Sequence, residues 1–267
     1  MPRLLGRDAE PAPLRGRLLA MADLHVYSIL RNEAKILPYF LRHYETIASR
    51  IFVFDDNSDD GTLHLLRAHP KVTVLGMVQP WLRTRYTGGI DDRYFRQLHE
   101  RAYTHQPRHA DLWIACVDAD EFLHHPNLLL LLDRTAPDVV WPTGYAMTSP
   151  TFPTTSGQIY EEARDGIPDF WSGKPCLFRS TIDIQFDLGR HGVKNVNLRV
   201  ARDTGVKLLH YRYLGHDYTI ARNHRNLSRM TAKNKNGRLG RHNEPDSKYQ
   251  HSLAWLESNR RLIRRAV

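Results

Sequence analysis

Cysteine is scarce in this sequence, and long apolar runs are missing. The 267 residues contain two cysteines, too few for the disulfide framework of a small secreted domain. No apolar run approaches the roughly 20 residues that a membrane-spanning helix needs. The N-terminal arginines are not followed by the apolar core of a secretory signal. We therefore expect a cytoplasmic protein, long enough for one α/β domain with an appendage.

Charge is unevenly distributed along the chain. Residues 1–189 contain 20 Lys and Arg against 24 Asp and Glu, whereas residues 190–267 contain 18 against 5. A basic C-terminal part suits phosphate, anionic lipid or nucleic acid, and a solvated basic surface explains it equally well. We expect peripheral contact with the anionic inner face of a membrane as one role for it, and nucleic acid as a less favoured partner.

Apolar runs alternate with helical periodicity in the first half of the chain. Strands are predicted at residues 24–30, 50–54 and 71–77, and helices at residues 34–44 and 62–68. This β-α-β-α-β order implies a parallel sheet with right-handed crossovers. Later elements are a helix at 93–105, strands at 112–117, 138–141 and 205–213, a short helix at 128–132, and a basic helical pattern from Tyr218.

Three regions differ in character. We interpret residues 1–20 as a flexible tail, residues 21–215 as the α/β domain, and residues 216–267 as a basic helical extension. Inside the domain, residues 143–176 are rich in Thr, Ser, Gly and Pro and show little periodicity. A long irregular segment of this kind is typical of a binding loop or lid.

The predicted strand at residues 112–117 runs into three carboxylates, Asp118, Asp120 and Glu121. Buried carboxylates are costly unless they are paired, and side chains two apart on an extended chain point the same way. Asp118 and Asp120 are thus placed to converge on one object. A Mg²⁺ or Mn²⁺ ion, completed by substrate phosphates, fits such ligands. A strand end with solvated acids is the simpler alternative.

Polar residues also follow the first two predicted strands. Arg31, Asn32 and Glu33 follow the first strand, and residues 55–62, which hold four acids and a Gly turn, follow the second. An open α/β sheet binds ligands where such strand ends meet. Asn32 could instead serve only as a helix cap.

Four segments together carry a family resemblance: SILRNEA (28–34), VFDDNSDDGT (53–62), WIACVDADEFL (113–123) and LHYRY (209–213). They resemble the family 2 glycosyltransferases of the GT-A fold, in the branch with NE after the first strand and DADEF at the metal site. The resemblance implies a Rossmann-like α/β fold, with a mixed, mostly parallel sheet and helices on both faces. It implies a metal-dependent (Mn²⁺ or Mg²⁺), inverting transfer of a sugar from a nucleoside-diphosphate donor to a glycan, lipid-linked or protein acceptor.

The resemblance also implies roles for individual residues. Glu33 and Asp56 would line the base and ribose of the nucleotide, and Asp118 would lie near the ribose or the metal. Asp120 would ligate the cation, and His210 would supply a late metal or phosphate contact, although it could be purely structural. Two further nucleotide contacts, Arg96 and Gln97, fall on the helix that precedes the strand of the DxD motif, which is Asp118-Ala119-Asp120.

The leaving nucleoside diphosphate and the acceptor hydroxyl need further groups. Charge that builds on the departing phosphates is neutralised by a metal as Lewis acid, and basic side chains assist; the candidates are Lys174, Arg190 and Lys194. No Glu-Asp pair stands where the family usually has its general base, so Asp169 and His191 are the candidates. Asp169 is as well explained as a turn residue, and His191 as a loop histidine.

Two other functions are weighed against this one. A phosphatase of the haloacid-dehalogenase kind would use Asp118 as nucleophile and Asp120 as general acid, but its motif normally ends in Gly-Thr and opens the domain. A non-enzymatic protein could bind nucleic acid through the basic C-terminal part, which would leave the acidic motifs unexplained.

Overall fold

The strands that carry the acidic motifs lie next to one another in one sheet. A computed structural model describes residues 22–82, 84–232, 234 and 256–267. The first half contains β1 (Asp23–Leu30), α1 (Leu37–Tyr44), β2 (Arg50–Asp55), α2 (Thr62–Ala68), β3 (Val72–Gly76), α3 (Asp92–Arg101) and β4 (Leu112–Cys116). Strand β1 pairs in parallel with both β2 and β4, and β2 pairs in parallel with β3. The predicted β-α-β-α-β opening is confirmed.

The second half of the chain adds short elements. They are β5 (Glu121–His124), α4 (Leu128–Arg134), β6 (Val139–Val140), β7 (Thr143–Ser149), α5 (Ile159–Glu162), β8 (Asp165–Pro168), β9 (Leu177–Arg179), β10 (Val200–Ala201), β11 (Lys207–Leu214), α6 (His216–Ser228) and β12 (Arg264–Arg265). The main sheet has the order β10-β6-β9-β4-β1-β2-β3. Because only β9 runs antiparallel to its neighbours, the prediction of a mixed, mostly parallel sheet is confirmed.

A second, five-stranded sheet has the order β12-β8-β7-β11-β5. It corrects two predictions. The irregular segment expected at residues 143–176 holds strands β7 and β8, and β7 is stabilised by pairing in parallel with β11. The helical extension expected up to residue 267 does not end as a helix, because Arg264–Arg265 form β12, antiparallel to β8.

The main sheet is covered on both faces. Side chains of β1 alternate between two apolar clusters: Leu24 and Val26 pack with α1, α2 and α4 on one face, whereas Tyr27 and Ile29 pack with α3 on the other. Burial on both faces explains why β1 and β4 are near-continuous apolar runs in the sequence. The prediction of helices on both faces is confirmed.

Several expectations fall on residues that are not described. The tail at residues 1–20 and residues 235–255 of the predicted extension lie outside the described ranges. In the part of the chain that the structure describes, no helix is both long and apolar enough to cross a membrane.

Candidate active site

The carboxyl ends of β1, β2 and β4 meet at one edge of the main sheet. The backbone N–H of Asp56 donates to the Leu30 carbonyl at 2.9 Å, and the N–H of Val117 donates to the Tyr27 carbonyl at 3.1 Å. The loops that leave these strands therefore start side by side, which is where parallel α/β sheets bind ligands.

The loops after β1 and β2 are tied to each other by side chains. Asn32 and Asp59 exchange two hydrogen bonds, at 2.7 and 2.9 Å, and the backbone N–H of Glu33 donates to Thr62 Oγ1 at 2.9 Å. Asn32 has a φ of +54°, a left-handed conformation that Asn tolerates. The helix-cap explanation of Asn32 is wrong, because α1 begins after Ile36 and Asn32 binds the neighbouring loop.

Asp118 is held by two buried cations. Lys174 Nζ lies 3.0 Å from Asp118 Oδ2 and 2.5 Å from Glu121 Oε1, and the Arg190 guanidinium contacts Asp118 Oδ1. Burial acts to raise the pKa of Asp118, but Arg190 and then Lys174 outweigh it and hold that pKa well below its usual range. The Glu121 carboxylate also accepts the backbone N–H of Asp118 at 2.9 Å. This half of the motif is a closed network of charge-assisted contacts.

Asp120 has different partners. Its Oδ2 lies 2.7 Å from Arg222 Nη1 and 3.0 Å from His210 Nε2. Although burial opposes them, Arg222 and His210 lower the pKa of Asp120. The second oxygen, Oδ1, is buried and has no hydrogen-bond partner among the described residues. A buried carboxylate oxygen without a partner is costly, which makes this atom a candidate ligand for a cation.

One helix places three arginines over the ends of the strands. Arg222 and Arg225 lie on α6, and Arg229 directly follows its last residue; the three are called the arginines of α6. Arg222 lies 3.2 Å from Glu33 Oε1, Arg225 donates to the Asn32 carbonyl at 3.2 Å, and Arg229 pairs with Asp56. The spacing of three and four residues puts these side chains on one face of the helix. Asp56 also accepts a hydrogen bond from Tyr86 at 2.5 Å. Burial raises the pKa of Glu33, and Arg222 opposes that shift.

Asp120 and His210 suit a divalent cation as a pair. Asp120 Oδ2 and His210 Nε2 are hydrogen-bonded at 3.0 Å, and a carboxylate oxygen and an imidazole nitrogen are both ligand types that divalent cations accept. The unpartnered Oδ1 of Asp120 offers a further oxygen. Within the described ranges, no three His, Cys, Asp or Glu side chains are grouped to hold an ion alone. A cation here would therefore need further oxygens, from water or from a bound substrate, as Mg²⁺ sites at phosphates have.

The two candidate bases lie in different surroundings. Asp169 accepts hydrogen bonds inside its own turn, from the Trp171 N–H at 3.3 Å and from Ser172 Oγ at 2.6 Å. His191 is the neighbour of Arg190, and burial followed by Lys174 and Arg190 lowers its pKa to about 4. His191 is therefore neutral near pH 7 and borders the cations that hold Asp118.

The predicted residues of α3 stand apart from the carboxylates. The Arg96 guanidinium lies 3.6 Å from Glu100 on the same helix, and the Gln97 side chain accepts a 2.5 Å hydrogen bond from Thr84. Lys194 contributes a backbone hydrogen bond to Gln185 at 2.8 Å. Contacts at one edge of the sheet thus bring together five of the predicted residues: Glu33, Asp56, Asp118, Asp120 and His210. Among the described side chains, no hydrogen bond or ion pair links Arg96, Gln97 or Lys194 to that group.

Sequence reasoning missed the arginines of α6 and the role of Glu121. The signal for the arginines was the spacing of Arg222, Arg225 and Arg229 directly after the LHYRY strand, which predicts one basic helix face. The sequence marks Glu121 only as an acid of the motif, because its partner Lys174 belongs to a distant segment of the chain.

Comparisons with known proteins agree with the resemblance at a coarse level. No family model matches the chain. It is 31% identical over 111 residues to a glycosyltransferase family 92 protein of Oryza sativa subsp. japonica, covering 40% of this chain and 17% of the relative. It is 28% identical over 129 residues to a glycosyltransferase family 92 protein of Ricinus communis, covering 47% and 21%. The chain thus spans about a fifth of the length of these relatives.

A solved structure is similar over part of the chain. It is mannosyl-3-phosphoglycerate synthase from Rubrobacter xylanophilus, with a TM-score of 0.34 and 18% identity over 47% of this chain and 41% of that one. The chain is thus similar in sequence to proteins named glycosyltransferases. The narrower resemblance to family 2 stays a prediction.

Proposed function

We propose that this protein is a GT-A-type glycosyltransferase that moves a sugar from a nucleoside-diphosphate donor to an acceptor hydroxyl, with inversion. The observation that carries the proposal is the Asp120 carboxylate. It is buried at the carboxyl edge of a mostly parallel sheet, faces two cationic or metal-ligating groups on one oxygen, and leaves the other oxygen without a partner among the described residues. The similarity to proteins named glycosyltransferases supports the same function.

The donor's nucleotide would occupy the loops after β1 and β2. Glu33 and Asp56 are both buried there, each against an arginine of α6. Carboxylates at such strand ends suit ribose hydroxyls, which donate hydrogen bonds. The proposed nucleotide contacts of Arg96 and Gln97 would require the donor to reach α3 as well.

The two phosphates would lie between the DxD motif and the buried cations. Asp120 and His210 would hold a Mn²⁺ or Mg²⁺ ion, which supplies Lewis-acid neutralisation of the phosphates when it is bound. Lys174 and Arg190 are fixed on Asp118 and need no reorganisation to face added negative charge. Arg222, 2.7 Å from Asp120, adds a third cation at this edge.

His191 is the better placed of the two candidate bases. It is neutral because burial, Lys174 and Arg190 lower its pKa to about 4, and a neutral imidazole can accept the acceptor's proton. Bound phosphates would offset the positive field of both cations and raise that pKa, which makes His191 a stronger base when the donor is present. Asp169 is occupied by hydrogen bonds within its turn.

The arginines of α6 weigh against nucleic-acid binding through this helix. Arg222, Arg225 and Arg229 are turned towards Glu33, Asn32 and Asp56. Part of the positive excess of the C-terminal region therefore balances acids of the same chain. No observation favours the phosphatase over the transferase, and one assay separates them.

The test is turnover of UDP-, GDP-, dTDP- and CDP-sugars with Mn²⁺. The measured quantity is the nucleoside diphosphate that is released. We expect one nucleotide class to be turned over, and Asp120→Ala to reduce the rate by about 100-fold or more, as loss of a metal ligand should. Asp165→Ala, an exposed residue of β8, is the matched control. Release of inorganic phosphate from p-nitrophenyl phosphate without any sugar-nucleotide turnover would contradict the proposal and support the phosphatase.

A further inference from the structure

Two adjacent aromatic side chains project into solvent beside the candidate active site. Phe170 is 72% exposed and Trp171 is 63% exposed. No other Phe or Trp among the described residues has a largely exposed side chain. Their rings lie 5.6 Å apart at 82°, so they form one angled surface. Exposed apolar patches of this kind mark binding sites more often than chance.

The turn that carries them is rigidly seated. Asp169 caps it through Trp171 and Ser172, and the Asp169 N–H donates to the Gly144 carbonyl of β7 at 3.0 Å. A Cβ at Gly144 would lie 2.0 Å from the Gly173 nitrogen. The turn therefore rests directly on the backbone of β7, and the backbone that carries the two rings is held in place before any ligand binds.

The same turn is joined to the donor carboxylates. Lys174, three positions after Trp171, reaches Asp118 and Glu121. The Trp171 ring lies 5.3 Å from the His191 ring at 89°, and Arg190, the neighbour of His191, binds Asp118. The Phe170 and His191 rings both contact the indole, yet Trp171 remains 63% exposed. The exposed part of the indole therefore belongs to a side chain that contacts His191.

Phe170 also borders a cavity of about 260 Å³. Its lining includes Trp141, Thr143, Arg202 and Asp203. The Arg202 guanidinium lies 3.7 Å from the centre of the Trp141 ring. Aromatic faces combined with a hydroxyl, a carboxylate and a guanidinium suit a sugar, whose C–H faces are apolar and whose hydroxyls both donate and accept.

We propose that Phe170 and Trp171 form the platform on which the acceptor's sugar binds, with the cavity beside Phe170 receiving a neighbouring sugar unit. This inference deepens the proposed function and rests on it, because a sugar bound here is an acceptor only if the protein is a glycosyltransferase. It selects a carbohydrate-bearing acceptor. An acyl chain is disfavoured because the cavity presents charged groups, Arg202 and Asp203, next to Phe170.

The experiment compares carbohydrate binding and donor binding in the same variants. Wild type, Trp171→Ala and Trp171→Phe are applied to a printed array of defined oligosaccharides, and nucleotide binding is measured by calorimetry with UDP and GDP. Val196→Ala, an 81% exposed apolar residue, is the control. We expect Trp171→Ala to weaken array binding by about tenfold, since a stacked ring contributes up to roughly that factor. Trp171→Phe should restore part of the binding, and nucleotide affinity should stay within about twofold.

Three results would overturn the platform. The first is unchanged array binding in Trp171→Ala, and the second is an equal loss of binding in the Val196→Ala control. The third is a wild-type protein that binds no oligosaccharide on the array, even when the nucleotide is present at a saturating concentration. Sedimentation with phosphatidylglycerol vesicles is a further arm: loss of vesicle binding in Trp171→Ala without loss of array binding would assign the surface to a membrane. Array binding that depends on Trp171 without sugar-nucleotide turnover would keep the platform and reject the transferase.

Discussion

The two carboxylates of the DxD motif, Asp118 and Asp120, are separated by a single residue and yet lie in different environments. Asp118 is engaged on both oxygens by Lys174 and Arg190, which come from the chain segments around β9. Asp120 is engaged on one oxygen by groups from β11 and α6, His210 and Arg222. One half of the motif is closed by the protein's own cations, whereas the other half keeps a buried oxygen without a described partner.

Under the proposed function, this difference assigns different tasks to two residues that the motif alone does not distinguish. A carboxylate locked between two fixed cations positions those cations for an incoming anion, because their own charges are already compensated and oriented. A carboxylate with a free oxygen is available to a metal ion. The alternation of side chains on extended chain explains why both face the same edge, but only the contacts of distant segments decide which task each performs.

The largest expected effect comes from breaking the closed half. Lys174 is buried between Asp118 and Glu121, so Lys174→Met leaves a buried carboxylate without that cation. We expect the free energy of unfolding to fall by about 3–5 kcal/mol, as measured by urea denaturation. Arg199→Met, which removes the exposed ion pair with Asp138, is the control and should cause a much smaller loss. Equal losses in both variants would show that the closed network does not stabilise the fold.

A second prediction uses pH to separate the charge cluster from the buried histidines. His43 is buried and contacts the Leu123 carbonyl at 2.9 Å, and burial lowers its pKa to about 4. Between pH 6.5 and 4 the unfolded chain binds the proton that folded His43 refuses, so stability falls as the pH falls through that range. The full shift is worth roughly 3 kcal/mol. Asp118 and Asp120 stay ionised there, because neighbouring cations lower their pKa values.

The measurement is urea unfolding at pH 7 and pH 4.5 in wild type and in His43→Gln, whose amide can still donate to Leu123. We expect the variant to lose less stability on acidification than wild type does. The same pH dependence in both proteins would mean that His43 does not titrate as its burial requires.

Much of the fold followed from local pattern, and the exceptions have physical causes. Strands β1, β2 and β4 are fully buried apolar runs, so period and composition predicted them. Strand β7 was missed because TGYAMTS has neither alternation nor a β-branched run; its pairing with β11 and the close packing of Gly144 on the turn at Gly173 decide its conformation. Strand β5 was missed because it has only four residues and directly follows the DxD motif, which is too short a stretch to show a strand pattern.

The site divides in the same way. The positions of Glu33, Asp56, Asp118 and Asp120 at one edge followed from the order of strands, since carboxyl ends of parallel strands meet. Their partners did not. Arg222 lies 189 positions after Glu33, and only the docking of α6 across the strand ends brings the two together. The division placed at residue 215 remains a prediction, but α6, which lies beyond it, contributes directly to this edge.

The most direct test of this account is Mn²⁺ binding, measured by electron paramagnetic resonance in the presence of the nucleoside diphosphate selected by turnover. The proteins compared are wild type, Asp120→Asn and Asp118→Asn, each checked for folding by circular dichroism. We predict that Asp120→Asn weakens Mn²⁺ binding by about tenfold or more, as loss of a charged ligand should, while Asp118→Asn stays within about threefold of wild type. Equal weakening in both variants, or none in Asp120→Asn, would contradict the division of tasks between the two carboxylates.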